Sequence, residues 1–408
     1  MAKTKEKKVI VKDNWISRFN VIGQAKIDEY TFKTDEKSEK SSFIYNSLSL
    51  NIDCGEKYGI VNCNMMGGYD SEKANVIYAH GKNEDGSDDF KKRIEVDWDD
   101  RFNEDILKTI GDMCFITVGL EKTKEEKTYY KKFLNAYDAI KYVKKYIEND
   151  TVINVRGSLK YSMYQDKIQV SKDITSIVLS KIDDPSKYSA RFTQTILIDK
   201  DSASLKNIDK DKGVMYIDAR VLDYLKELNG IKLFNAKGED KGGQYPYPKQ
   251  FEYEFPDLSN TDQCKKIMDK LFKVKKGVTQ ITFEGDLIEG GAVVTATLDD
   301  VPDDIKELIE IGVYSEEEAL ARCSSNDNRE QRMVLRKPFT KLVGEKKVPT
   351  LQIFKEKYTE DDLILDYLAN IPDTDEEDDT ATETETDTDT SNTESTDVDD
   401  MSWLDDLD

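Results

Sequence analysis

The side chains of this sequence best placed to act together are aromatic rings interleaved with lysines and arginines. One set is Tyr30, Phe32, Lys33, Phe43 and Tyr45; another is Arg156, Lys160, Tyr161, Tyr164 and Lys167; Arg336 and Lys337 add later cations. Flat rings stack on planar bases, and cations track phosphates. Other chemistry has little to work with. His80 is the only histidine, which removes most acyl-transfer triads and histidine metal sites. It stands in a polar, glycine-flanked stretch and reads as a loop residue. The five cysteines (Cys54, Cys63, Cys114, Cys264 and Cys323) form no Cys-x-x-Cys pair, so neither zinc nor a disulfide framework is expected. No phosphate-binding Gly-x-x-x-x-Gly-Lys-Ser/Thr loop occurs. The expectation is a protein that is not an enzyme and uses no cofactor and no metal.

The elements that must carry these residues centre on 135–179. Ile140, Val143 and Ile147 fall at helical spacing. From Thr151 the period changes to two, with Ile153, Val155, Gly157, Leu159 and Tyr161 on one side of a half-buried strand. Met163 to Asp166 read as a turn, and 167–170 and 175–179 as returning strand. Tyr161 sits on the apolar parity, and Tyr164 sits where nothing in the pattern buries it. The arrangement recurs. Cys264, Ile267 and Leu271 give a helical stripe, and Ile281, Phe283, Gly285 and Leu287 an alternating strand. A Glu-Gly-Gly turn at 289–291 and a strand over 293–298 follow. Both copies hold Gly-x-Leu, and a glycine inside a strand marks a bulge or bend.

The rest of the chain falls around these two units. Residues 1–12 are a basic arm. Phe19–Ile27, Leu48–Ile52, Gly59–Met65, Arg93–Trp98, Phe115–Leu120 and Tyr129–Phe133 read as strands of a first domain, 13–186. Tyr30–Tyr45 reads as a long connection, and 67–69 and 81–90 as loops. A second domain, 187–371, takes strands at Phe192–Ile198, Val214–Leu222, Gln250–Phe255, Arg332–Leu342 and Val348–Phe354. A loop at 229–245 and the run Tyr245-Pro-Tyr-Pro248 lie within it, as do helices at 303–311, 315–323 and 361–368. Residues 372–408 form an acidic tail, expected to be disordered. From Asp373 it holds seventeen Asp and Glu and no Lys or Arg. Its apolar tip, Met401, Trp403, Leu404 and Leu407, suits a partner's pocket. Lys and Arg number 60 against 83 acids; without the tail's seventeen acids, 60 face 66. The body is therefore only mildly acidic. No apolar run approaches the roughly 18 residues that span a bilayer. A cytoplasmic protein is expected, in a bacterial host if phage-encoded.

A helix set before the last hairpin of a small barrel resembles the OB-fold. The expected fold class is therefore mainly β, with two enlarged OB-fold-like barrels, accessory helices and the tail. That tail, with Met401-Ser-Trp-Leu404, resembles those of bacterial and phage single-stranded-DNA-binding proteins. The resemblance implies binding of single-stranded DNA during replication or recombination, with the tip recruiting replication or recombination proteins. It places the site on the second and third strands and on the 1–2 and 4–5 loops, hence on the aromatic and basic sets above. The chain departs from the bacterial pattern by its two enlarged domains and by the lack of a proline–phenylalanine terminus. A structural or adaptor phage protein is the competing reading, with an inhibitor that mimics nucleic acid as its variant. A nuclease or polymerase subunit finds no supporting motif.

Overall fold

Alternating apolar and polar residues fold as strands, and the computed structural model is mainly β. It describes residues 10–164, 167–209, 212–228, 230–233, 241–290, 331–344 and 347–363. The chain begins with β1 (Ser17–Lys26), β2 (Phe32–Lys37), β3 (Phe43–Asp53) and β4 (Ile60–Asp70). An insertion follows, holding β5 (Val76–Lys82), β6 (Asp88–Asp97), α1 (Glu104–Leu107), β7 (Ile116–Lys122) and β8 (Thr128–Phe133). Then come α2 (Ala136–Tyr146), β9 (Val152–Tyr164) and β10 (Lys167–Leu179). The later part holds β11 (Ser189–Ile198), β12 (Ala203–Asp209), β13 (Val214–Leu225), β14 (Glu227–Leu228), β15 (Ile231–Lys232) and β16 (Gly243–Glu254). After α3 (Thr261–Ile267) it closes with β17 (Val278–Glu289), β18 (Gln331–Pro338), β19 (Thr340–Val343), β20 (Val348–Leu351) and β21 (Ile353–Tyr358).

Five of the early strands close on themselves. β1 pairs with β3 at Gln24–Lys26, β3 with β4, β4 with β10 in parallel at Asn64 and Asp173, β10 with β9, and β9 with β1. The later strands repeat the circuit. β11 pairs with β13, β13 with β16, β16 with β18 in parallel at Glu252 and Val334, β18 with β17, and β17 with β11. A closed circuit leaves no free edge among its members, and each has a helix inserted before its last hairpin. In α2 the Asn135 side chain caps the first turn by accepting from the Tyr137 amide at 2.7 Å, and Ala139, Ile140 and Val143 are buried.

The two glycines of the Gly-x-Leu pairs occupy equivalent places. Gly157 lies opposite Phe19 on β1, and Gly285 opposite Phe192 on β11. A Cβ at Gly157 would stand 1.9 Å from the Asp173 carbonyl oxygen, and one at Gly285 2.4 Å from that of Val334. Beside each glycine the ladder shifts by one residue, leaving out Thr175 in β10 and Arg336 in β18. This is the bulge that a glycine inside a strand announces. It bends each hairpin around its barrel.

The barrels are joined through their first strands. β1 and β11 run antiparallel, with Phe19 directly opposite Phe192. Because these two residues are each other's counterparts, a local two-fold axis passes between them. Both rings are buried, worth about 1.5–3 kcal/mol each. Their arginine neighbours repeat too, as Arg18-Phe19 and Arg191-Phe192. Away from the axis, Tyr161 and Glu289 hold equivalent positions, four residues beyond their glycines. The Tyr161 amide donates to Asp223 Oδ2 at 2.7 Å, and the Glu289 amide to the Tyr58 carbonyl at 2.9 Å. Lys172 and Glu289 form a buried ion pair at 2.5 Å across the same junction.

Several local expectations give way. Gly67, Gly68 and Tyr69 are part of β4, not a loop, and pair with Asn46, Tyr45 and Ile44. The strand persists because absent side chains let α2 and the Phe43 ring approach. The Tyr30–Tyr45 connection contains β2, folded back on β3. Within 81–90, β5 runs on to Lys82 and β6 starts at Asp88, leaving a short turn. His80 is therefore a strand residue. Tyr164 is the last residue of β9, opposite Lys167, rather than part of a free turn. Pro246 and Pro248 lie within β16, beyond the point where β18 joins its other edge. The segments 293–298, 303–311 and 315–323 lie outside the described residues, as do all but 361–363 of the last expected helix.

Candidate nucleic-acid interface

The outward face of β3 and β4 is the surface best equipped to hold a planar ligand. Inward positions Leu48, Leu50, Ile52, Val61, Cys63 and Met65 fill the barrel. Period two then sends Phe43, Tyr45, Ser47, Ser49 and Asn51 outward, opposite Asp70, Gly68, Met66, Asn64 and Asn62. The Phe43 and Tyr45 rings lie nearly parallel, with an interplanar angle of 13° and centroids 6.4 Å apart. Gly68 makes this possible: a Cβ there would meet the Phe43 ring and the Tyr45 Cα, each at 2.8 Å. Met66 beside them is 58% exposed. Beyond the rings comes a row of neutral amides. Asn62 Nδ2 donates to Ser49 Oγ at 3.1 Å and to Asn51 Oδ1 at 2.9 Å. Each amide offers both a donor and an acceptor.

One end of this face is bordered by the β2 arm. Buried Asn46 holds the arm in place, accepting from the Asp35 amide and donating to the Tyr137 carbonyl, both at 2.7 Å. The Asp35 carboxylate also receives the Tyr137 hydroxyl and pairs with Lys141 at 2.8 Å. Lys141 and then Tyr137 hold its pKa below the ordinary carboxylate value. Tyr30 and Lys33 on this arm are exposed, and Phe32 packs partly against the core.

Around the barrel the face continues onto β10 and β9. The row Ser49, Asn64, Asp173, Ser158 crosses four strands. Further along the hairpin, Lys160, Tyr164 and Lys167 share the outward side, and Tyr164 is 60% exposed. Tyr161 points inward, 3% exposed, its hydroxyl 3.1 Å from Gln194 Oε1. Arg156 is half-buried on the outward side of β9. Asp173 is the acidic member of this surface. Burial pushes its pKa up, against a hydrogen bond from Ser171 and the charge of Lys160.

The remaining candidates lie elsewhere. Arg336 Nε donates to Asp286 Oδ2 at 2.8 Å and the same guanidinium pairs with Glu254; Lys337 pairs with Glu284 at 2.8 Å. These cations are engaged on the second barrel and do not join the β3–β4 face. Met401, Trp403, Leu404 and Leu407 lie outside the described residues.

Two groupings escaped the sequence reading. Tyr69, Trp98 and Tyr137 form a ring cluster with centroids 5.1–6.0 Å apart, and the Arg101 guanidinium lies 4.2 Å from the Trp98 ring centroid. Its members come from three separated segments, so no local pattern could announce it. Likewise His80 Nε2 meets Asp88 Oδ1 at 2.6 Å, while Cys114 Sγ lies 3.2 Å from Nδ1. The thiol also lies 3.7 Å from Nε2, and among the described residues no group of three or more His, Cys, Asp or Glu side chains could hold a metal ion. Burial pushes the Cys114 thiol up, away from the thiolate that nucleophilic chemistry needs. The cluster fastens the β5–β6 hairpin to the segment before β7.

A family model described as YorF matches residues 72–269, from the insertion through α3. Among solved structures, the chain is similar to the crystal structure of wild-type single-stranded DNA binding protein from Thermus aquaticus. That likeness covers 68% of this chain and 86% of the other, at 8% identity and a TM-score of 0.29. No curated protein matches.

Proposed function

We propose that this protein binds single-stranded DNA without catalysing a reaction, and that each five-strand circuit is an OB-type barrel. The single observation behind this reading is the Phe43–Tyr45 ring pair over Gly68 on the outward face of β3 and β4. These are the second and third strands of the first circuit, where OB barrels hold oligonucleotides. Rings of this kind offer stacking worth about 1–3 kcal/mol per base. The amides of Asn51, Asn62 and Asn64 suit base edges, and exposed Lys33 and Lys167 suit phosphates on either side. A role in protecting single strands during replication or recombination follows from such binding. Partner recruitment falls to Met401, Trp403, Leu404 and Leu407.

The test is a titration of a fluorescent oligothymidylate against the full chain, with a duplex of equal length as control. Tight uptake of the single strand and weak uptake of the duplex is expected. Equal affinity for the two, or no uptake at low salt, overturns the reading and favours an adaptor role.

A further inference from the structure

We infer that the strand-binding surface belongs to the first barrel alone and that the second barrel's counterpart turns nucleic acid away; this rests on the function proposed above. The two barrels can be aligned residue by residue through their ladders. Asp173 pairs with Asn64 in one, and Val334 with Glu252 in the other, each one place before the residue opposite the repeated glycine. Asn64 therefore corresponds to Glu252. Since Asn64 faces Ser49 and Glu252 faces Tyr216, Ser49 corresponds to Tyr216.

Carried along the strands, this alignment replaces most of the site and keeps one amide: Asn62 becomes Gln250, which donates to Asp218 Oδ1 at 2.9 Å. Met66 becomes Glu254, Asn64 becomes Glu252 and Asn51 becomes Asp218. Where β3 runs back to Tyr45 and Phe43, β13 starts only at Val214, after a turn through Gly213 at φ +70°. The position aligned with Tyr45 is then Lys212, outside the strand, and the one aligned with Phe43 lies outside the described residues. Three arginines nearby are committed to carboxylates. Arg332 grips Glu252 through Nε and Nη2, Arg336 holds Glu254 and Asp286, and Arg220 pairs with Asp199 at 3.0 Å. A phosphate approaching this face would meet carboxylates and would have to displace one from its arginine. A phosphate near the middle of the β3–β4 face meets neutral amides instead, with carboxylates only at its margins, Asp70 opposite Phe43 and Asp173 on β10.

The consequence is a one-barrel footprint from a two-barrel chain. A single barrel of this type accommodates roughly 4–16 nucleotides. The experiment uses the full chain, labelled oligothymidylates of increasing length, and the variants Tyr45→Ala, Met66→Glu and Tyr216→Ala, with thermal melting as a folding control. Tyr45→Ala should weaken binding by roughly 5- to 150-fold, the equivalent of one lost stack. Met66→Glu, at an exposed position, should weaken it without unfolding the protein. Tyr216→Ala should leave it unchanged, and affinity should stop rising within the length one barrel holds. A loss with Tyr216→Ala equal to that with Tyr45→Ala overturns the inference while leaving the function standing. Affinity that keeps climbing until an oligonucleotide can reach both barrels does the same. No uptake by the unmodified chain removes both.

Discussion

Tyr161 and Tyr164, three residues apart on one strand, face opposite environments. Tyr161 is packed between the barrels, with its hydroxyl on Gln194 and its amide on Asp223. Tyr161→Ala removes a buried ring and is expected to cost about 3–5 kcal/mol in unfolding free energy. Tyr164→Ala should leave the denaturation midpoint where it was and weaken strand binding. A chemical-denaturation series beside an oligonucleotide titration reads both, and the reverse pattern would show the outward face wrongly assigned. Asp173 gives a pH-dependent counterpart. Its folded pKa is raised by burial, so the folded state binds its proton more tightly than the unfolded chain does. The stability gained from that proton is fully present below the unfolded pKa, near 3.9, and is lost as pH rises through the folded value. Asp173→Asn should therefore raise the melting temperature at neutral pH, with the gain shrinking as pH falls towards 4. A gain independent of pH would assign the effect to something other than the titration of this carboxyl.

At the scale of elements, the hairpins β9–β10 and β17–β18 do more than close their own barrels. Each carries a bulge opposite its glycine, and each reaches across the junction. The Lys172–Glu289 pair ties β10 to the end of β17, with both side chains at least nine-tenths buried. Lys172→Met leaves the Glu289 carboxylate buried without its countercharge. Removing one partner of such a pair typically costs about 3–5 kcal/mol. The double variant Lys172→Met/Glu289→Leu should recover most of that loss, because no charge then remains to be desolvated. Urea unfolding of the two variants checks this. A double variant no more stable than Lys172→Met would mean that Glu289 contributes mainly through its hydrogen bond from the Asn62 amide.

For the whole molecule, charge sets the response to salt. Three exposed or half-exposed lysines flank the proposed path: Lys33, Lys160 and Lys167. If each releases one counterion from a single strand, the slope of log affinity against log salt should be about −2. Lys167→Gln should make it shallower by about 0.7. The acidic residues of 373–408 work in the opposite sense, because seventeen carboxylates repel a phosphate chain. Removing them should raise affinity at low salt. The advantage should disappear near 1 M, where the Debye length is about 3 Å. Titrations of both forms across a salt series test the two statements together; a deletion effect that persists in molar salt would point to direct contact instead.

Periodicity alone determined much of this protein. The change from helical to alternating spacing near Thr151 placed the end of α2 and the start of β9 within a residue, because one face of each must be apolar to join a core. The repeated Gly-x-Leu marked both bulges, since a side chain at either glycine would strike a neighbouring strand. The chemistry of Phe43 and Tyr45 could be named from residue type, though β2 and the paired glycines of β4 were hidden, being strands made of turn-like residues. Only the tertiary structure decided which rings meet. The Tyr69–Trp98–Tyr137 cluster and the His80–Asp88–Cys114 contact join segments distant in the chain. It also decided that Arg336 and Lys337 would be bound to carboxylates rather than presented outward. Register accounts for the difference between the barrels. Two sequences with the same alternation form the same circuit, but the residue that faces out at each rung follows from which strand positions pair, and pairing is a property of the folded chain.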